Sequence, residues 1–146
     1  MKYWPLLLLV VFCSCFLMKD FTKRPFTTDG ENIELLVPKG YKSEKTIVDS
    51  ATGNKEQYYY YSDGSLLYFV HAVDTTKEYQ NINYGMNEPL VHSRGGFIYK
   101  GEDSVRNYWR EIHIKHLRLG YKNVTQSQEV AFDSVLNYAS MILPIK

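Results

Sequence analysis

The sequence predicts an α+β fold, an antiparallel sheet with a C-terminal helix packed on one face, and three observations carry that prediction. First, an aromatic run at residues 58–61 and an apolar run at 66–70 flank Ser62, Asp63, Gly64 and Ser65. An Asp-Gly pair supplies the positive backbone angles of a tight turn, so a β-hairpin is expected across residues 58–73. Second, Thr125 and Gln128 have capping-box spacing. Val130, Phe132, Val135, Leu136, Ala139 and Ile142 then recur at helical intervals until Pro144 stops them, which predicts the terminal helix. Third, the intervening segments are rich in sheet-forming residues and punctuated by turn signals. A helix laid on one face of such a sheet buries the apolar side of both.

Residues 33–38 read as a strand closed by the turn Pro38-Lys39-Gly40, and residues 45–49 as a second short strand. Thr75 to Glu78 again has capping-box spacing, but Asn81, Asn83 and Gly85 limit the segment beyond it to a short helix. Residues 89–96 read as a loop leading into a strand at 97–100. Residues 104–119 admit two readings. A helix would align Val105, Tyr108, Trp109, Ile112, His116 and Leu119 on one face. Strands are preferred, because Gly101-Glu102-Asp103-Ser104 is a turn cluster and Tyr108, Trp109, Ile112 and Ile114 favour sheet.

The first residues carry a different signal. Met1 and Lys2 give a positive start, residues 6–12 are unbroken apolar, and Cys13, Ser14 and Cys15 come directly after. That is the order of a secretory signal, and Lys19 and Asp20 interrupt the run before it reaches the roughly 20 residues a spanning helix needs. Phe12-Cys13-Ser14-Cys15 resembles the signal of bacterial lipoproteins, in which a small residue precedes an acylated cysteine. Phe12 stands where that family usually carries Leu. The resemblance implies cleavage after Ser14, a diacylglycerol and palmitate-type lipid on Cys15, and attachment to a membrane of the bacterial cell envelope, inner or outer. An uncleaved anchor helix and cleavage without a lipid are the rival readings. The expected organisation is a signal peptide at 1–14, a lipid-anchored tether at 15–31 and a single α+β domain at 32–146. A tether of that length could hold the domain up to about 50 Å from the bilayer.

Of 146 residues, 45% are hydrophobic and 23% charged, the balance of an ordinary folded domain. The formal net charge of +1 offers no field for nucleic acid. Both cysteines fall in the signal region, so the mature domain has no disulfide pair and relies on packing. The 13 tyrosines are the outlier; tyrosine brings apolar area together with a hydroxyl that tolerates water.

Four histidines, His71, His92, His113 and His116, are present, and on a strand His113 and His116 point to opposite faces, which argues against a shared metal. Glu102, Asp103 and Glu111 are acids beside aromatics, as in a glycoside-cleaving pair, but no spacing fixes their geometry. No Gly-x-Ser-x-Gly elbow, phosphate-cradling loop or cofactor motif occurs, so neither catalysis nor a cofactor is expected. Arg94, Gly95 and Gly96 form a candidate anion-binding loop, since consecutive glycines free backbone amides to converge beside a guanidinium. The candidate partner-binding residues are Tyr59, Tyr61, Tyr68, Tyr108, Trp109 and Arg110, on the argument that half the residues of a strand face away from the core. Asn123-Val124-Thr125 fits a glycosylation sequon, which a bacterial lipoprotein signal argues against.

The order of a first strand at 33–38, a central sheet and a last strand followed by a helix is similar to the PsbP-like group, which includes the lipid-anchored DcrB-like proteins. That resemblance implies an accessory role and transfers no catalytic residue. The function expected is therefore a non-catalytic envelope lipoprotein that binds an envelope protein or cell-wall partner at a membrane face. The alternatives are a periplasmic immunity protein against a delivered toxin and a hydrolase of envelope polymers.

Overall fold

A computed structural model of the chain describes residues 20–28, 30–72 and 90–144; the signal segment with Cys15 and the short helix expected after Thr75 lie outside them. The described strands are β1 (Phe21–Thr28), β2 (Glu31–Pro38), β3 (Tyr41–Asp49), β4 (Asn54–Tyr61), β5 (Leu66–His71), β6 (Leu90–Val91), β7 (Phe97–Glu102), β8 (Tyr108–Ile114) and β9 (Leu117–Val124), followed by helix α1 (Gln126–Ile142). β1 and β2 form a hairpin of their own. The other strands form one antiparallel sheet in the order β3-β4-β5-β9-β8-β7-β6. Helix α1 packs on β8, β9 and β2, so the helix and the β1–β2 hairpin cover one face of the sheet. The predicted α+β class is the one observed.

The hairpin at Asp63-Gly64 forms between β4 and β5. The Asp63 carboxylate accepts the Ser65 amide at 2.9 Å and the Gln128 side chain at 2.7 Å, which ties the turn to the first turn of α1. Partial burial works to raise the Asp63 pKa, but these hydrogen bonds outweigh it and hold the group below its ordinary value. The capping box on Thr125 and Gln128 is present, as the spacing predicts. Residues 104–107 are turn, and 108–119 are strand as a hairpin: β8 returns into β9 through Lys115 and His116, with Lys115 in the left-handed region at φ 49°.

One expectation needs correction. Residues 21–28, read as tether, form β1 in full register with β2. Phe26 is fully buried in the core, and Lys23 pairs with Glu34 at 2.7 Å across the hairpin. The segment lacks a clean apolar alternation because a single side chain, Phe26, does most of its packing.

The core is aromatic where β4, β9 and α1 meet. Tyr61 and Tyr121 set their rings edge-on to Phe132 at 5.2 and 5.6 Å, and Tyr59 does the same to Phe69 at 6.2 Å; edge-to-face is the arrangement aromatic quadrupoles favour. A bulge between β8 and β9 shapes this side. Asn123, at φ 58°, takes up the extra residue, so that Tyr121 and Val124 both turn inward.

Candidate functional site

Alternation along β7 and β8 decides what faces what. Lys100 and Glu102 lie opposite Arg110 and Tyr108 on the helix-covered face, whereas Gly101 and Trp109 pair on the other. Glu129, Asp133 and Asn137 recur every fourth residue on α1, so they form one polar stripe beside its apolar face. The sheet and this stripe enclose a cleft of about 410 Å³ whose lining includes Lys100, Glu102, Tyr108, Arg110, Tyr121 and Glu129, while the Trp109 ring lies over Gly101 on the opposite face.

Arg110 anchors the cleft. Its guanidinium donates to Asp133 at 2.8 Å and Asn137 at 2.9 Å, and Tyr121 donates its hydroxyl to the same Asp133 carboxylate at 2.9 Å. Burial, followed by the Asp133 charge, holds the Tyr121 phenol above its ordinary range. Desolvation and then the Glu102 carboxylate do the same to Tyr108. The lining therefore combines aromatic rings, a fixed guanidinium and carboxylates on both walls. Such a surface can hold an amphipathic partner segment by stacking and by charged hydrogen bonds.

Of the six residues the sequence nominated for partner binding, the structure brings two together here, Tyr108 and Arg110; Trp109, between them on β8, turns its ring over Gly101 on the opposite face. The three tyrosines of β4 and β5 also sit elsewhere. Tyr59 is 1% exposed and belongs to the core, and Tyr61, packed on Phe132, donates its hydroxyl to the Pro38 carbonyl at 2.8 Å. These two face the helix because Tyr58 and Tyr60 take the outward positions of β4. Tyr68 is buried on the opposite face of the sheet. The sequence reading missed Glu129, Asp133 and Tyr121. Their signal was legible in principle, as the four-residue polar spacing on α1 beside its apolar stripe.

Tyr68 leads to the second polar constellation. Glu111 is completely buried on that opposite face. Its carboxylate accepts the Tyr68 hydroxyl and contacts the His113 ring, and Arg118 reaches it through Nε at 2.8 Å and Nη2 at 2.6 Å. A buried carboxylate is stable only when so enclosed. The arrangement depends on Gly120, which sits between Tyr68 and Glu111 in the ladder. The Tyr68 ring passes over it, and a Cβ there would fall 2.3 Å from Tyr68 Cζ.

Glu102 lies three residues from Tyr99, the register partner of Glu111, and so points to the other face of the sheet. Asp103 accepts the amides of Val105 at 2.9 Å and Asn107 at 2.8 Å in the β7–β8 turn. The three acids considered for glycoside cleavage do not converge.

The loop read as an anion site is occupied by the protein's own helix. Arg94 donates through Nη1 to the carbonyls of Ser140 at 2.7 Å, Met141 at 2.9 Å and Leu143 at 3.0 Å. Helix α1 carries no basic residue in its last turn, and Arg94 supplies the cation that its carbonyls require. Beside it, the Arg94 amide donates to His92 Nδ1 at 3.1 Å, so the ring is protonated on Nε2, which lies 3.2 Å from Ser140 Oγ. Burial, together with the Arg110 and Arg94 charges, keeps the His92 pKa below its ordinary value. Gly95 and Gly96 make the return into β7. At Gly96 the φ of 98° and the His113 carbonyl, 2.0 Å from where a Cβ would stand, exclude any side chain.

Among the described residues, no three His, Cys, Asp or Glu side chains are grouped as metal ligands would be, and no helix is long and apolar enough to cross a membrane. Compared with protein-family models, curated proteins and solved structures, the chain matches none.

Proposed function

We propose that this chain is a non-catalytic lipoprotein of the bacterial envelope, anchored through Cys15, and that it binds a protein or cell-wall partner in the cleft between β7, β8 and α1. The observation that carries the binding half is the convergence of Tyr108 and Arg110 on one cleft with carboxylates from the helix. Anchoring rests on the Phe12-Cys13-Ser14-Cys15 sequence. Because β1 starts at Phe21, the chain between Cys15 and the fold spans at most about 20 Å, less than half the reach expected from the sequence. The domain then works close against the bilayer surface.

Two measurements test the proposal. Cys15→Ser should release the protein from membranes, and the mass of the native product should show a diacylglyceryl cysteine as the first residue. A photo-crosslinker at Lys100, an exposed position in the cleft lining, should capture one partner in cells, a product absent with the crosslinker at Ser134 and lost on adding Tyr108→Ala. Retention of Cys15→Ser in membranes refutes the anchor. Equal crosslinking from Lys100 and Ser134 refutes the cleft.

A further inference from the structure

The far end of the sheet carries an unpartnered strand. β3 is an edge strand, and among the described residues nothing pairs with its outer side. All residues from 42 to 48 are exposed, including Ile47 at 38% and Val48 at 65%. A long exposed edge with apolar side chains is a template for another strand, and natural sheets usually blunt such edges with lysines, bulges or short strands. The opposite edge follows that rule, since β6 has two residues. β3 follows it at its start, where the register shifts between Tyr41 and Ser43, but the remainder runs in regular register against β4.

The charges on β3 identify what fits it. Lys45, Ile47 and Asp49 lie on one face, opposite Tyr58, Glu56 and Asn54 of β4. If β3 pairs antiparallel with its own copy about a two-fold axis normal to the sheet, residues from the same face must meet, and the axis passes through one residue. An axis at Glu44 or Lys45 stacks like charges, and one at Thr46 or Val48 leaves the charges facing apolar residues. An axis at Ile47 sets Lys45 against Asp49 twice, Thr46 against Val48 twice, and Ile47 against itself. Opposite charges directly across a ladder stabilise it, and like charges weaken it. In that register the lysine that would repel a foreign strand becomes part of the match.

We propose that this chain forms a two-fold dimer by antiparallel pairing of β3 with β3 of a second copy, centred on Ile47, which joins the two sheets into one. The cleft between β7, β8 and α1 lies at the other end of each sheet and stays open, so this inference stands apart from the proposed function.

Sedimentation velocity of the full chain extracted in mild detergent should show a monomer–dimer equilibrium that shifts with concentration. Ile47→Lys sets two ammonium groups together at the axis, and Lys45→Glu sets like charges opposite Asp49; each should abolish the dimer. Lys45→Glu changes an exposed side chain, which keeps the test valid if Ile47→Lys folds poorly. Under oxidation, Ile47→Cys should give a disulfide-linked dimer in a yield that neither the parent chain, with its Cys13 and Cys15, nor Ser134→Cys reaches. A monomer at every soluble concentration, with or without another protein on the strand, overturns the proposal. So does a dimer that survives both charge variants.

Discussion

Gly120→Ala adds one methyl group at the point where Tyr68 crosses β9 to reach Glu111. The new Cβ would lie 2.3 Å from both Cζ and Oη of Tyr68, and Tyr68 is only 8% exposed, so the ring has little room to step aside. Overfilling a packed site costs about 1–3 kcal/mol. Pulling the hydroxyl away from the buried Glu111 carboxylate removes a hydrogen bond to a charged acceptor, about 1.5–3 kcal/mol more. Alanine returns about 0.5–1 kcal/mol, because glycine is the poorer strand residue. The net destabilisation is about 2–5 kcal/mol, a large share of the roughly 5–15 kcal/mol that holds a domain of this size folded. Urea unfolding followed by tryptophan fluorescence measures it. The diagnostic step is to repeat Gly120→Ala in a Tyr68→Leu background, where the side chain ends short of residue 120. There the substitution should be neutral or stabilising by about 0.5 kcal/mol, a coupling that a double-mutant cycle isolates. A loss below about 1 kcal/mol in the parent chain, or the same loss in both backgrounds, would refute the account of Gly120 as the gap through which Tyr68 reaches Glu111.

Arg94→Ala should destabilise the fold by about 1–2 kcal/mol through its loss at the helix C-terminus, and amide exchange should rise in the last turn of α1 with little change at its Thr125 cap. Arg94→Lys, a point charge without the planar fork, should recover only part of the loss. His92 should impart a pH dependence. Its pKa is lower in the fold than in the unfolded chain, so the neutral ring stabilises the fold above the unfolded value, and that stability fades as pH falls through the folded value. Denaturant midpoints should therefore decline below about pH 6.5, and His92→Gln should flatten that part of the curve. An unchanged slope in the variant would remove His92 from the account.

The hairpin at Asp63-Gly64 and the helix after Thr125 were legible because each is specified locally, by a turn that needs positive φ and by a cap followed by a 3.6-residue period. The β8–β9 hairpin was only half legible. Its turn is Lys115-His116, with no glycine or asparagine to mark it, and the left-handed backbone at Lys115 is imposed by the pairing on either side. β1 was illegible because its stability comes from β2 and from one buried phenylalanine. Site residues divided the same way. Tyr108 and Arg110 are two apart on one strand and so share a face, whereas Asp133 and Tyr121 join them only through tertiary packing; Trp109, nominated with them, falls on the other face by the same alternation. Arg94 was misassigned because a guanidinium beside two glycines looks alike whether its acceptors belong to a ligand or to a helix end 46 residues further along. The same limit hid the burial of Glu111, whose enclosure is built from β5, β8 and β9.

The position of β9 between β5 and β8 also governs how the chain can assemble. The β3–β4–β5 meander and the β7–β8–β9 meander each close through short turns, but they join only where residues about fifty apart in sequence meet across β5 and β9. Each half is left with an open seam until the last strand emerges and zips it. A chain stopped before Leu117 would therefore present β5 as a raw edge, and acquisition of the native state waits on β9.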